Sequence, residues 1–335
     1  QLPTPNAYRS ADGQPGPWYY QNTADYKMNL ELDDAKQILK GSETITYTNN
    51  SKDELSYIWL QLDQNMRSKD SDTRKISTQQ LSKKTAFRAI ERDFYFEEYD
   101  GGFKIEEVKD ASGKDLPNTV VNTMMRVDLP KTLKPGDKFS FSVKWWYNIN
   151  DRMKVGGRGG YEYFKEENNY IYTMAQFFPR MCVYNEVEGW QNKQFLGRGE
   201  FTLPFGNYEV SIKVPSDHLV AGTGELQNAS NVLSSEQRER FNKAKNATDK
   251  PVLIVTQEEA EKTKKKKLQE QKYGPTKQHK FVTLPLQVLE SLCGTEWQLK
   301  LGLVRIRKRY FVCLFIQKKE IHCGRNTARN WLHIP

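Results

Sequence analysis

The chain has 335 residues, a formal net charge of +9 and 12% aromatic residues, which is room for two domains or for one large all-β domain with a substantial core. The charge is unevenly spread: residues 1–262 carry 35 Lys and Arg against 38 Asp and Glu, and residues 263–335 carry 16 against 4. A slightly acidic body argues against nucleic acid or anionic membrane as its partner, and no run reaches the ~20 apolar residues of a membrane span.

Residues 1–17 are polar and rich in Pro and Gly, and predict an extended lead-in. Period-two alternation then begins. Tyr26, Met28, Leu30 and Leu32 share one face, as do Ile58, Leu60 and Leu62. Phe139, Phe141, Val143 and Trp145 repeat the pattern, followed by Tyr208, Val210, Ile212 and Val214 with Pro215 closing the run. This periodicity predicts half-buried strands, with turn chemistry between them at Asn49-Asn50-Ser51, Asp100-Gly101-Gly102, Lys134-Pro135-Gly136-Asp137 and Phe205-Gly206-Asn207. Helices are expected over Asp72–Ile90 and Ser234–Ala247, and a last short strand over Val252–Thr256. Residues 18–262 therefore read as one mainly β domain with few short helices.

Chemical motifs are sparse. Gly156-Gly157-Arg158-Gly159-Gly160 lacks the Lys-Ser/Thr of a phosphate-binding loop and no helix pattern follows, so it reads as a flexible loop. The four histidines, His218, His279, His322 and His333, include no His-Glu-x-x-His, so neither a zinc site of that type nor any other metal ligand set is expected. Cys182 is the only cysteine before residue 263, which leaves the redox compartment open. Trp145-Trp146-Tyr147 is either core or a surface for peptide or glycan.

A specific resemblance emerges from several segments together: GPWYYQNTADYKMNLELD (16–33), LKGSETITYTNNS (39–51), YIWLQLDQN (57–65), GGRGGYEYF (156–164), YTMAQFFPRM (172–181) and GRGEFTLPFGNYEVSIKVP (197–215). Residues 16–260 resemble the N-terminal domain of the aminopeptidase N-like, gluzincin zinc metallopeptidases. That resemblance implies a large, twisted, saddle-like β structure leaning over a separate catalytic domain. It also implies one glutamine or glutamate that accepts hydrogen bonds from the substrate's free α-amine. The family's Thr-x-x-Gln/Glu falls on Thr173-Met174-Ala175-Gln176, nominating Gln176 as the anchor, with Ala175 beside it as a further substrate-binding candidate. The competing role for Gln176 is a strand-end side chain bonded to backbone. Arg180 and Glu188 are nearby polar candidates, for which a structural role is the expectation. In the intact family member a zinc ion and a glutamate base remove N-terminal residues from peptides. None of those catalytic groups is in this sequence, so negligible peptidase activity is expected from it. The resemblance points to peptides and the missing catalytic domain as partners, to no nucleic acid, and to a periplasmic, cell-envelope or secreted setting. The rival function is a non-catalytic module that binds peptide or glycan.

The resemblance stops at Lys264–Lys267. Read in a shifted frame, the third base of each codon joined to the first two of the next, residues 271–278 can encode K-I-W-T-Y-K-A. Residues 280–298 can then encode I-R-D-F-A-F-A-S-S-R-K-F-M-W-D-G-M-A, which resembles the family's continuation. The expectation is a frameshift in an adenine-rich run, leaving residues 263–335 as an out-of-frame, poorly ordered basic tail. A genuine basic extension is the alternative.

Overall fold

The computed structural model describes residues 4–76, 84–91, 99–165, 169–197, 202–215, 217–222, 224, 226–246, 252–256, 258–259, 262, 279–288 and 314–318. The chain opens with β1 (Thr23–Asp33), β2 (Ile38–Thr48) and β3 (Leu55–Gln61). Next come β4 (Lys104–Asp110), β5 (Asn118–Val121), β6 (Met124–Leu133) and β7 (Lys138–Asn148). After them, β8 (Gly160–Phe164) and β9 (Asn169–Met174) lead into the short β10 (Arg180–Met181), β11 (Tyr184–Asn185) and β12 (Gly189–Trp190). The remaining described strands are β13 (Gly206–Pro215), β14 (His218–Ala221), β15 (His279–Val288) and β16 (Leu314–Lys318).

The fold is mainly β. One sheet runs β15-β13-β1-β2-β7-β4, a second β10-β3-β6-β5, a third β14-β16-β9-β8, and β11 pairs with β12. In the large sheet β1 and β13 run parallel, and the other pairs are antiparallel. The alternating runs behave as their periodicity requires. Ala24, Tyr26, Met28, Leu30 and Leu32 of β1 are all buried, and Tyr208, Val210, Ile212 and Val214 of β13 lie beside them in the same core. Gly41 of β2 is opposite Trp145 of β7, and a Cβ at Gly41 would lie 2.2 Å from the indole ring. Only glycine leaves room for the ring to lie across the strand. Trp145 and Tyr147 both meet Phe103 edge-on, at 5.3 and 5.4 Å between centroids, and both are buried. These two residues of the Trp145-Trp146-Tyr147 run therefore belong to the core and not to a binding surface.

Three expectations need revision. Val252–Thr256 forms no strand; a short apolar run pairs only where a sheet edge is open, and β15 takes the edge beside β13. Asp72–Ile90 is not one helix. It holds a single turn, Asp72–Lys75, capped by the Ser71 hydroxyl accepting from the Thr73 amide, and a second turn at 87–91, while residues 77–83 lie outside the described residues. Among the described residues Ile76, Phe87 and Ile90 are all exposed, so they offer no apolar face to hold a longer helix against the body. The lead-in is not simply extended: Arg9 bridges Pro15 and pairs with Glu186, while the Tyr8 ring contacts Trp18 and Tyr20.

The second expected helix is present as Ser235–Asn246. The Ser234 hydroxyl accepts from the Gln237 amide, and the Gln237 side chain accepts from the Ser234 amide. This reciprocal pairing satisfies two backbone donors at the helix start. Within 263–335 the described residues are β15, antiparallel to β13, and β16, between β14 and β9. Ladder pairing draws on backbone groups that every non-proline residue carries.

Candidate functional site

β9 delivers Thr173 and Met174, both buried, to the end of its sheet, and the chain then turns through Ala175 and Gln176. Gln176 has φ of 55°, in the left-handed region. For a residue with a Cβ this costs about 1–2 kcal/mol, and glycine is the usual occupant. Among the described residues the Gln176 side chain has no hydrogen-bond partner. Its Nε2 is shut off from solvent, and the residue as a whole is half-buried.

The corner is held from behind by polar groups that are themselves buried. After β3 the chain makes one 3-10 turn, Asp63–Arg67, in which Asp63, Gln64, Asn65 and Arg67 are all buried. Gln64 Nε2 donates to the carbonyl of Gln176 at 2.9 Å and to that of Ala175 at 3.2 Å. Arg67 Nη1 donates to Gln64 Oε1 at 2.9 Å, fixing which end of the amide faces the corner. Asn65 accepts from the Phe103 amide at 2.7 Å and donates to the Asn122 carbonyl at 2.8 Å. Downstream, Phe177 and Phe178 are buried with their rings 5.0 Å apart. Arg180 forms an ion pair with Asp63, whose other oxygen accepts from Gln61 Nε2 at 2.6 Å. The Met181 amide donates to the Tyr26 hydroxyl at 2.9 Å.

The glycine loop closes the other side. A Cβ at Gly157 would lie 2.8 Å from Arg67 Nη2, and one at Gly159 would lie 3.1 Å from the Ala175 nitrogen. Asn150 Nδ2 donates to the Gly159 carbonyl at 3.0 Å. The loop runs into β8 and no helix follows. Gly159 serves close backbone approach to Ala175, and Gly157 leaves room for the Arg67 guanidinium.

Of the residues singled out from sequence, Gln176 is at the corner with an uncommitted side chain. Ala175 is 3% exposed, and its carbonyl is taken by Gln64, so it contributes backbone shape rather than a projecting group. Arg180 is part of the buried ion pair. Glu188 is paired with Lys193 at 3.0 Å on the surface, a bond that lowers its carboxyl pKa. Sequence reading missed Gln64 and Arg67. The one signal was a run of polar residues directly after an apolar strand, which reads equally as a solvated turn. It also passed over Glu43, which is 2% exposed with both carboxylate oxygens unpartnered. Burial pushes that carboxyl well above its ordinary 4.5. Cys182 is likewise buried, and its thiol is pushed up to about 12.

Among the described residues no three His, Cys, Asp or Glu side chains could together hold a metal ion, and no helix is long and apolar enough to cross a membrane. No protein-family model and no curated protein matches the sequence. Solved structures give a distant likeness. An M1 zinc metallopeptidase from Deinococcus radiodurans matches over 64% of this chain and 37% of its own, at 13% identity and a TM-score of 0.34. A variant two-domain M1 zinc metallopeptidase bound to L-tryptophan matches over 91% of this chain and 44% of its own, at 11% identity and a TM-score of 0.39. The chain thus spans less than half the length of these proteins.

Proposed function

We propose that residues 18–262 are the substrate-anchoring β domain of a zinc-dependent aminopeptidase, and that Gln176 receives the free α-amine of a peptide. The observation that supports this most is the corner itself. The residue nominated by the sequence resemblance carries a left-handed backbone, and its buried Nε2 has no hydrogen-bond partner among the described residues. An amide oxygen accepts from an ammonium without bringing a second charge into the site, and a bond to a charged donor is worth about 1.5–3 kcal/mol. The described residues offer no donor set for zinc. In this reading the metal and the hydrolytic groups belong to a separate catalytic domain, and Gln176 only orients the substrate.

The test begins with the nucleotide sequence across codons 255–335. The shifted frame is expected to encode the segments derived above and to continue into a catalytic domain. In the frame-restored enzyme, Gln176→Ala is expected to lower kcat/KM for an aminoacyl chromogenic substrate by about 10- to 100-fold, the equivalent of that one bond. A shifted frame without those segments removes the frameshift reading. Unchanged kinetics in the variant remove Gln176 from substrate binding.

A further inference from the structure

The corner at Gln176 is not held by its own sequence. Glutamine has no preference for the left-handed region, and its side chain makes no local bond that would favour it. The side chain that bonds the corner's carbonyls is Gln64, from a turn 112 positions earlier in the chain, through one Nε2 shared between the two. Gln64 and Ala175 are both 3% exposed, so loss of that donor leaves the Ala175 carbonyl facing a dry interior. Arg67 in turn occupies Gln64 Oε1, and Gly157 makes room for the Arg67 guanidinium.

We propose that Gln64 is a positioning residue: its amide, oriented by Arg67, enforces the left-handed backbone of Gln176 and thereby sets the direction in which the Gln176 side chain is offered. The geometric half of this stands alone. Its consequence for ligand binding rests on the reading of Gln176 as an amine anchor.

The test uses the full chain, isotope-labelled, with the sign of φ at residue 176 read from backbone scalar couplings by NMR and L-leucinamide as the amine probe. In the parent protein the couplings are expected to report a positive φ. In Gln64→Ala, and equally in Gln64→Glu, whose carboxylate cannot donate, they are expected to move to the negative-φ range, while the amide spectrum of β1 and β2 stays native. Leucinamide affinity is expected to fall about 10-fold or more in both variants, matching Gln176→Ala, because a misdirected acceptor loses its charged bond. A φ that stays positive in Gln64→Ala overturns the positioning role whatever the amine does. A φ that changes while leucinamide binding is the same in the parent, Gln64→Ala and Gln176→Ala upholds the positioning role and sinks the anchor reading instead. If the Gln64 variants fail to fold, Gln176→Gly decides. An enforced left-handed corner is relieved by glycine, raising the folding constant about 3- to 10-fold, whereas a corner that is not enforced is weakened by glycine's extra unfolded-state freedom.

Discussion

Replacing Arg180 by methionine is expected to lower the unfolding free energy by about 3–5 kcal/mol, the usual cost of stranding a buried charge. The Arg180 and Asp63 side chains are only 5% and 1% exposed, so Asp63 would keep, among the described residues, the Gln61 amide as its partner, in a medium that water does not reach. Removing both charges together, as Asp63→Leu with Arg180→Met, is expected to cost far less, because the desolvation penalty disappears along with the attraction. Urea unfolding of the two variants checks this, with the midpoint moving and the slope unchanged. A loss under about 1 kcal/mol in the single variant would mean that the pair is hydrated in solution. The ion pair also lies on the route from the 3-10 turn to β10, which pairs with β3 at Gln61. Its loss should therefore loosen the segment that carries Gln176 more than it loosens β1 and β2.

Glu43 is expected to make the fold more stable in acid than at neutral pH. The carboxyl lies on the inward face of β2, in register with Met28 of β1 and Val143 of β7. Its two oxygens have no partner among the described residues, and burial raises its pKa well above 4.5. Since the folded state holds the proton more tightly than the unfolded state, folding binds a proton in the window that begins near 4.5 and ends at the raised value. Stability therefore falls with rising pH across that window, by up to about 1.4 kcal/mol per pH unit. Glu43→Gln abolishes this slope. The variant should match the parent near pH 4 and exceed it in stability near pH 8. Thermal or urea midpoints measured from pH 4 to 8 provide the check. Parallel profiles for parent and variant would show that Glu43 finds a partner or water in solution.

Alternation exposed much of the body in advance. β1, β3, β7 and β13 each declare which residues face inward, because side chains switch sides at every residue. The same rule places Glu43 on the buried face with Leu39, Gly41, Ile45 and Tyr47, although a carboxylate there reads as an exception until its surroundings are seen. Periodicity names a face but not a neighbour. Nothing local to Tyr26 indicates that it lies beside Tyr208, or that β1 and β13 run parallel. Gln176 was reached through a family-like stretch of sequence, not through composition or spacing. Its left-handed backbone was illegible because the cause lies in Gln64, on another strand's exit. The buried turn Asp63–Arg67 was illegible for the opposite reason: four polar residues among five suggest solvent, and only the carbonyls, amides and charges of distant segments explain their burial.

The most direct measurement is a titration of the labelled full chain with L-leucinamide and, separately, with N-acetyl-L-leucinamide, which keeps the side chain and loses the charged amine. The free amine is expected to shift the Gln176 side-chain amide signals saturably and the acetylated form to leave them in place, with Gln176→Ala silent to both. Equal responses to the two ligands, or saturable binding that bypasses Gln176, would contradict an α-amine anchor at this corner.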